Sequence, residues 1–190
     1  MVTIKRDTKE TQIEATLELY GEGKSNINTK IGFFDHMLEA LTKHSLMNLD
    51  LTCNGDIEVD FHHSVEDTGI VIAQALKKEI FPIENVERFG EATVVMDEAS
   101  VNTVLDLSNR PFLHFDVDLS GKVGEFDTEL VEEFFRAIAF NAGLTMHIVA
   151  LRGKNQHHII EAVFKSFAVA LRRATTKNIR VGIPSTKGVL

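Results

Sequence analysis

Two stretches of the chain share one five-residue pattern, HHSVE at 62–66 and HHIIE at 157–161. The chain has 8 histidines, and the two copies use half of them. Random placement gives about 0.03 copies of such a pattern per chain, so the pair is not an accident of composition. On a helix, positions i and i+4 share a face. His62 and Glu66 therefore aim at one point, and so do His157 and Glu161. His63 and His158 point about 100° further round. Imidazole and carboxylate at this spacing are the ligand set of a transition-metal ion.

Each motif alone is short of ligands for such an ion. His36 and His147 stand upstream of the two motifs and complete the count. The expected sets are His36, His63, His157 and Glu161 for one site, and His62, Glu66, His147 and His158 for the other. Three imidazoles and a carboxylate with open positions favour Mn or Fe over structural Zn. His114, in PFLHFDV, alternates like a strand residue and reads as structural. His44 either lines the site or caps its helix.

The elements that must carry these residues follow from periodicity. Strands are expected at 12–20 and 24–31, the second returning after the turn at Gly21 and Gly23, and a helix at 33–44. Asn54-Gly55 between 49–54 and 56–61 signals a hairpin, and a helix follows at 64–80. The second half repeats the order. It has strands at 91–98, 101–107 and 112–118, a turn at SGKVGE, a helix at 128–142, a strand at 146–152 and a helix at 158–174. The fold class is α/β (α+β), an internal duplication of a two-layer unit. Each half, about 1–90 and 91–190, is a roughly four-stranded sheet with helices on one face, and the halves form a single domain.

Composition sets the outer limits. With 44% hydrophobic and 25% charged residues the chain is that of a globular protein. No apolar run is long enough for a membrane helix, and MVTIKRDTKE lacks a signal-peptide core. Cys53 is the single cysteine, so no internal disulfide is expected and a cytoplasmic location is. A net charge of −8 argues against nucleic acid as a partner.

DHMLEALTKH, GDIEVDFHHSVEDTGI, RFGEATVVMDEA, DLSNRPF, GLTMHI, GKNQHHIIEAVFKSFAVALRRA and IPSTKGVL together resemble the imidazoleglycerol-phosphate dehydratase family over nearly the whole chain. Two positions depart from its pattern: Asn109, where glycine is expected, and Phe61 before the first motif. The resemblance implies a duplicated α/β unit, two Mn ions per subunit held by the eight ligands above, and homo-oligomers in which trimers build a 24-subunit shell with shared active sites. It implies a small phosphate substrate, imidazole glycerol phosphate, dehydrated to imidazole acetol phosphate in histidine biosynthesis.

That reaction removes a proton from carbon with no carbonyl to acidify it. Two metals on the two ring nitrogens would hold the imidazole as imidazolate. The ring then expels the neighbouring hydroxyl to give a diazafulvene, and a base takes the proton from the next carbon. The resemblance places Glu10 at the substrate as the acid/base candidate, with Glu161 and His63 completing the expected catalytic set. Asp97 and Asp67 are candidates for orienting a metal-bound histidine. Arg88 and Arg110 resemble the family's phosphate contacts. Lys165, four residues after Glu161, shares its helix face, and Ser185 and Lys187 offer a hydroxyl and an ammonium. Substrate is further expected to meet His36, His44, His62 and His157. The rival readings are another dinuclear metal hydrolase and a non-catalytic metal-binding shell protein.

Overall fold

The computed structural model describes residues 1–188. The first half runs β1 (Val2–Asp7), β2 (Thr11–Glu18), β3 (Ser25–Asn28), α1 (Gly32–Ser45), β4 (Asn48–Gly55) and α2 (His62–Ile80). The second half runs β5 (Phe89–Met96), β6 (Ala99–Asp106), β7 (Phe112–Asp116), the short pair β8 (Lys122–Val123) and β9 (Phe126–Asp127), α3 (Leu130–Ala142), β10 (Thr145–Arg152) and α4 (Gln156–Ala174). The sheets have the orders β1-β2-β4-β3 and β5-β6-β10-β7. In both, the first three strands in the order pair antiparallel and the last joins in parallel. The duplication expected from the two motifs is thus a duplication of topology.

Alternation explains the sheets. Ile13, Ala15 and Leu17 of β2 and Leu49, Leu51 and Cys53 of β4 are buried, and their neighbours face outward. In the second sheet Val101 and Leu105 of β6 and Met146 and Ile148 of β10 do the same. Helices cover the inner faces, and they also pack across the halves, α2 on α3 and α1 on α4. At the first crossing Gly69 lets the backbones approach, because a Cβ there would lie 2.9 Å from the Ala137 Cβ. Phenylalanines fill the centre: Phe134 meets Phe34 of the other half at 5.4 Å and Phe164 at 5.2 Å between ring centroids.

Four expectations are corrected. β1 pairs with β2 from Gln12 to Leu17 although no strand was read before residue 12. Residues 56–61 are a loop, not a strand, because β4 already has β2 on one edge and β3 on the other and offers no edge for a hairpin. β3 is shorter than 24–31 and lies parallel to β4 rather than returning along β2. SGKVGE is not only a turn but carries the β8–β9 pairing, Lys122 opposite Asp127 and Val123 opposite Phe126.

The outer faces of the two sheets differ. The first shows Lys5, Glu14, Thr52 and Asn54. The second exposes Phe89, Val95, Val104, Phe112 and Leu151. No helix among the described residues is long and apolar enough to cross a membrane.

Candidate metal centre and anion cleft

Each motif opens its helix beside a side-chain acceptor, Asp60 one residue before the cap position Phe61 in the first and the cap residue Asn155 itself in the second. The Asp60 Oδ1 accepts the backbone N–H of His62 at 2.8 Å, and the Asn155 Oδ1 accepts that of His157 at 2.9 Å. Side-chain oxygens of this kind satisfy the free amides of a first helical turn. Within each turn the i,i+4 geometry holds, with His62 Nε2 at 3.5 Å from Glu66 Oε2 and His157 Nε2 at 3.3 Å from Glu161 Oε2.

Only the second motif gains a third ligand from its own chain. His36 Nε2 on α1 lies 3.5 Å from the same Glu161 Oε2. His36, His157 and Glu161 present one ligand atom each within 4.8 Å of one another, and among the described residues no other such group of three forms. Ligands on adjacent corners of an octahedron with bonds of about 2.1 Å stand about 3 Å apart, so the trio fits a metal ion with little adjustment. Its supports are local. Asp35 accepts Thr29 N and Oγ1 at 2.8 and 2.6 Å, fixing the start of α1. Phe33 packs edge-on against His157 at 5.1 Å.

Glu161 is buried. Burial alone pushes its carboxyl up, but Lys165, 2.5 Å from Oε1, overrides this and holds it below the ordinary carboxylate value. Lys165 therefore sits at the metal trio, as its spacing predicted. His44 lies near it, and burial, followed by the Lys165 and Arg172 charges, pushes its imidazole down.

The remaining expected ligands do not join this group within one chain. His63 Nδ1 lies 3.1 Å from Asp56 Oδ2, and its Nε2 is 3.8 Å from Glu10 Oε2. His158 Nδ1 lies 2.7 Å from Glu98 Oε2, and its Nε2 is 3.8 Å from Asp97 Oδ2. The hydrogen bond to Asp56 raises the pKa of His63, and that to Glu98 raises the pKa of His158. The Glu98 carboxyl is lowered to about 2, mainly by His158. His62 keeps Glu66. His147 stands on the outward face of β10, opposite His114 on β7 at 5.4 Å between rings, with Phe112 at 5.5 Å.

The phosphate candidates converge elsewhere. Arg88, Arg110, Ser185 and Lys187 line one cleft of about 820 Å³ with Ser108 and Asn109. Arg88 Nε and Nη2 donate to the two Asp106 oxygens at 2.7 and 3.0 Å, and Nη1 donates to the Pro184 carbonyl at 2.6 Å. Its φ of 71° is a left-handed conformation unusual for a long side chain, and these three bonds hold it there. Arg110 is more exposed, 3.9 Å from Asp106. Asn109 has φ 53°. Asparagine tolerates that region better than most residues, which is why it serves where glycine was expected.

Asp67 does not orient a histidine. It is buried, accepts the Thr11 hydroxyl at 2.5 Å and pairs with Arg6 at 2.9 Å, tying α2 to β1 and β2. Sequence reasoning missed Asp56, Glu98 and Asp106. Asp106 had a signal, since it opens the DLSNRP segment that also carries Arg110.

A family model described as imidazoleglycerol-phosphate dehydratase matches residues 29–171. The chain belongs to the imidazoleglycerol-phosphate dehydratase family. It is 68% identical to the imidazoleglycerol-phosphate dehydratase of Aliarcobacter butzleri and 62% identical to that of Sulfurovum sp., each over 100% of both chains. Among solved structures, the imidazoleglycerol-phosphate dehydratase of Staphylococcus aureus superposes with a TM-score of 0.82 at 43% identity, covering 93% of this chain and 100% of that one. The Pyrococcus furiosus enzyme, in complex with (S)-C348, gives 0.85 at 37% identity, covering 98% and 100%. Like the rest of the imidazoleglycerol-phosphate dehydratase family, the chain is an enzyme, a hydro-lyase of histidine biosynthesis.

Proposed function

We propose that the chain dehydrates imidazole glycerol phosphate to imidazole acetol phosphate with two manganese ions per subunit, in the cytoplasm. The observation that carries this reading is the trio His36, His157 and Glu161, a ready half of a metal site. Mixed imidazole and carboxylate donors suit Mn. When bound, the metal pair supplies Lewis acidity to the substrate ring.

The chain's residues do the rest. Arg88, Arg110, Ser185 and Lys187 hold the phosphate in their cleft, Arg110 with its fork and Arg88 with the two N–H groups that Asp106 and Pro184 leave free. Glu10 takes the proton from the carbon beside the departing hydroxyl, since its carboxylate already borders His63. The resulting enol relaxes to the ketone, and water leaves.

The second half of the metal machinery is completed by other copies of the chain. His147 faces outward among exposed apolar residues of the second sheet, while His62 and Glu66 on α2 and His158 on α4 join no group of three ligands among the described residues. Burying that apolar face against a neighbouring copy brings the two sets together, in homo-oligomers of trimers up to a 24-subunit shell. This arrangement also accounts for the metal trio standing outside the cleft that the phosphate cations line.

The test is chelation followed by reconstitution. The stripped protein should neither turn over substrate nor form its full assembly. Manganese at two ions per chain should restore both, and His63→Ala should lose both again. Full turnover by protein shown to be metal-free would sink the reading.

A further inference from the structure

We propose that Asp56 and Glu98 are positioning residues, each fixing the second histidine of its half so that Nε2 is the ring nitrogen offered to metal. The inference rests on the reading of His63 and His158 as metal ligands.

The geometry is duplicated. Asp56 approaches His63 Nδ1 with both oxygens, at 3.1 and 3.2 Å. Glu98 approaches His158 Nδ1 at 2.7 Å. A carboxylate only accepts, so in each pair Nδ1 carries the hydrogen and donates it. In the neutral ring that leaves the lone pair on Nε2. The opposite edge of each ring then faces the acidic turn of its half, Glu10 or Asp97, at 3.8 Å.

The two carboxylates are not copies of one another. Asp56 precedes His63 by 7 residues, in the loop after β4. Glu98 precedes His158 by 60 residues, in the tight turn between β5 and β6. The same contact has been reached from two different parts of the repeated unit. Simple inheritance from the duplication does not produce that, whereas a shared demand on the two rings does.

The Glu98 carboxylate is itself held, and Asp56 is held through its backbone. Glu98 Oε1 accepts the backbone N–H of Asn155 at 2.8 Å and of Lys154 at 3.2 Å, so the residue clamps the turn that leads into α4. Asp56 donates its own backbone N–H to the Glu10 carbonyl at 3.1 Å. His62 and His157 instead turn Nε2 towards the glutamate of their own helix. Each motif thus has one histidine oriented from within its helix and one oriented from outside it. Partners of the second kind typically account for 10–100-fold in metal affinity.

The experiment is a calorimetric titration of the metal-stripped full chain with Mn, using Asp56→Ala and Glu98→Ala. Each should weaken one of the bound ions about 10–100-fold with unchanged circular dichroism. Asp56→Asn and Glu98→Gln keep an acceptor for Nδ1–H and should recover most of the loss. Should Glu98→Ala not fold, Glu98→Met against Glu98→Gln makes the same comparison at constant length. Parent affinity in the alanine variants overturns the proposal, and so does an equal loss in the alanine and amide variants, which would assign the effect to charge. His63→Ala and His158→Ala are titrated in parallel. Undiminished binding there would overturn the ligand reading itself, whereas their loss beside intact alanine variants would overturn only the positioning role.

Discussion

Glu161 divides its two oxygens between Lys165 and the metal trio: Oε1 lies 2.5 Å from the Lys165 ammonium, and Oε2 faces His157 at 3.3 Å and His36 at 3.5 Å. The lysine keeps a buried carboxylate ionised against desolvation. Lys165→Met should let burial raise that carboxyl, so protons compete with metal. Mn affinity should fall about 10-fold at pH ~6 and less at pH ~8, as read by titration of the metal-stripped variant at both values.

Arg88→Lys should act on substrate binding. Lysine cannot make the fork on Asp106 while also reaching the Pro184 carbonyl. A cation no longer held in place should lose its charge-assisted bond to the phosphate, about 1.5–3 kcal/mol, and KM should rise about 10–100-fold, with a smaller change in kcat, in steady-state assays.

Phe134→Ala should test the joint between the halves. The ring is fully buried and meets Phe34, Phe135 and Phe164. Its removal should cost about 3–5 kcal/mol in denaturant unfolding.

The His158–Glu98 pair makes a prediction about pH. In the metal-free protein the pair raises the histidine above 6.5 and draws the carboxyl from 4.5 to about 2. A raised histidine contributes stability below its unfolded value and loses it as pH rises through the folded one. A lowered carboxyl contributes above its unfolded value and loses it as pH falls toward about 2. The melting temperature of Glu98→Gln should therefore lag the parent most between these limits, and the gap should close on either side. Glu98 is exposed and His158 partly so, and solvent screening keeps the gap small. Metal affinity should climb as pH rises through the raised histidine values, because a ring must shed its proton to bind.

The parts of the site legible in the sequence were those written in local spacing. The pairs His62–Glu66 and His157–Glu161 follow from one helical turn, and Lys165 from one more. Family resemblance led to Arg88 and Arg110, and the hydroxyl and ammonium of the tail led to Ser185 and Lys187; the fold gathers all four in one cleft. Asp56 and Glu98 were invisible, because an acceptor 7 or 60 residues away carries no period. The fold shows the same division. The helices of both motifs were readable from their apolar stripes. The Asn-Gly turn signal at 54–55 failed because β4 is a central strand, a fact set by pairing with β2 and β3 that local chemistry does not encode. β1 has one buried side chain, Ile4, and Arg6 turned toward Asp67 on α2, so its alternation was faint.

The packing of α2 on α3 and α1 on α4 has a historical consequence. Gly69 fits Ala137, and Phe34 fits Phe134, each across the boundary between the repeats. A lone ancestral unit of this topology would have turned the same helical faces to water, so it had to associate with its own twin before the genes were joined. The connection through residues 81–88 converted that association from an encounter limited by concentration into one guaranteed within a single chain. Once tethered, the two copies were free to diverge, and their outer sheet faces now differ, polar on the first and apolar on the second.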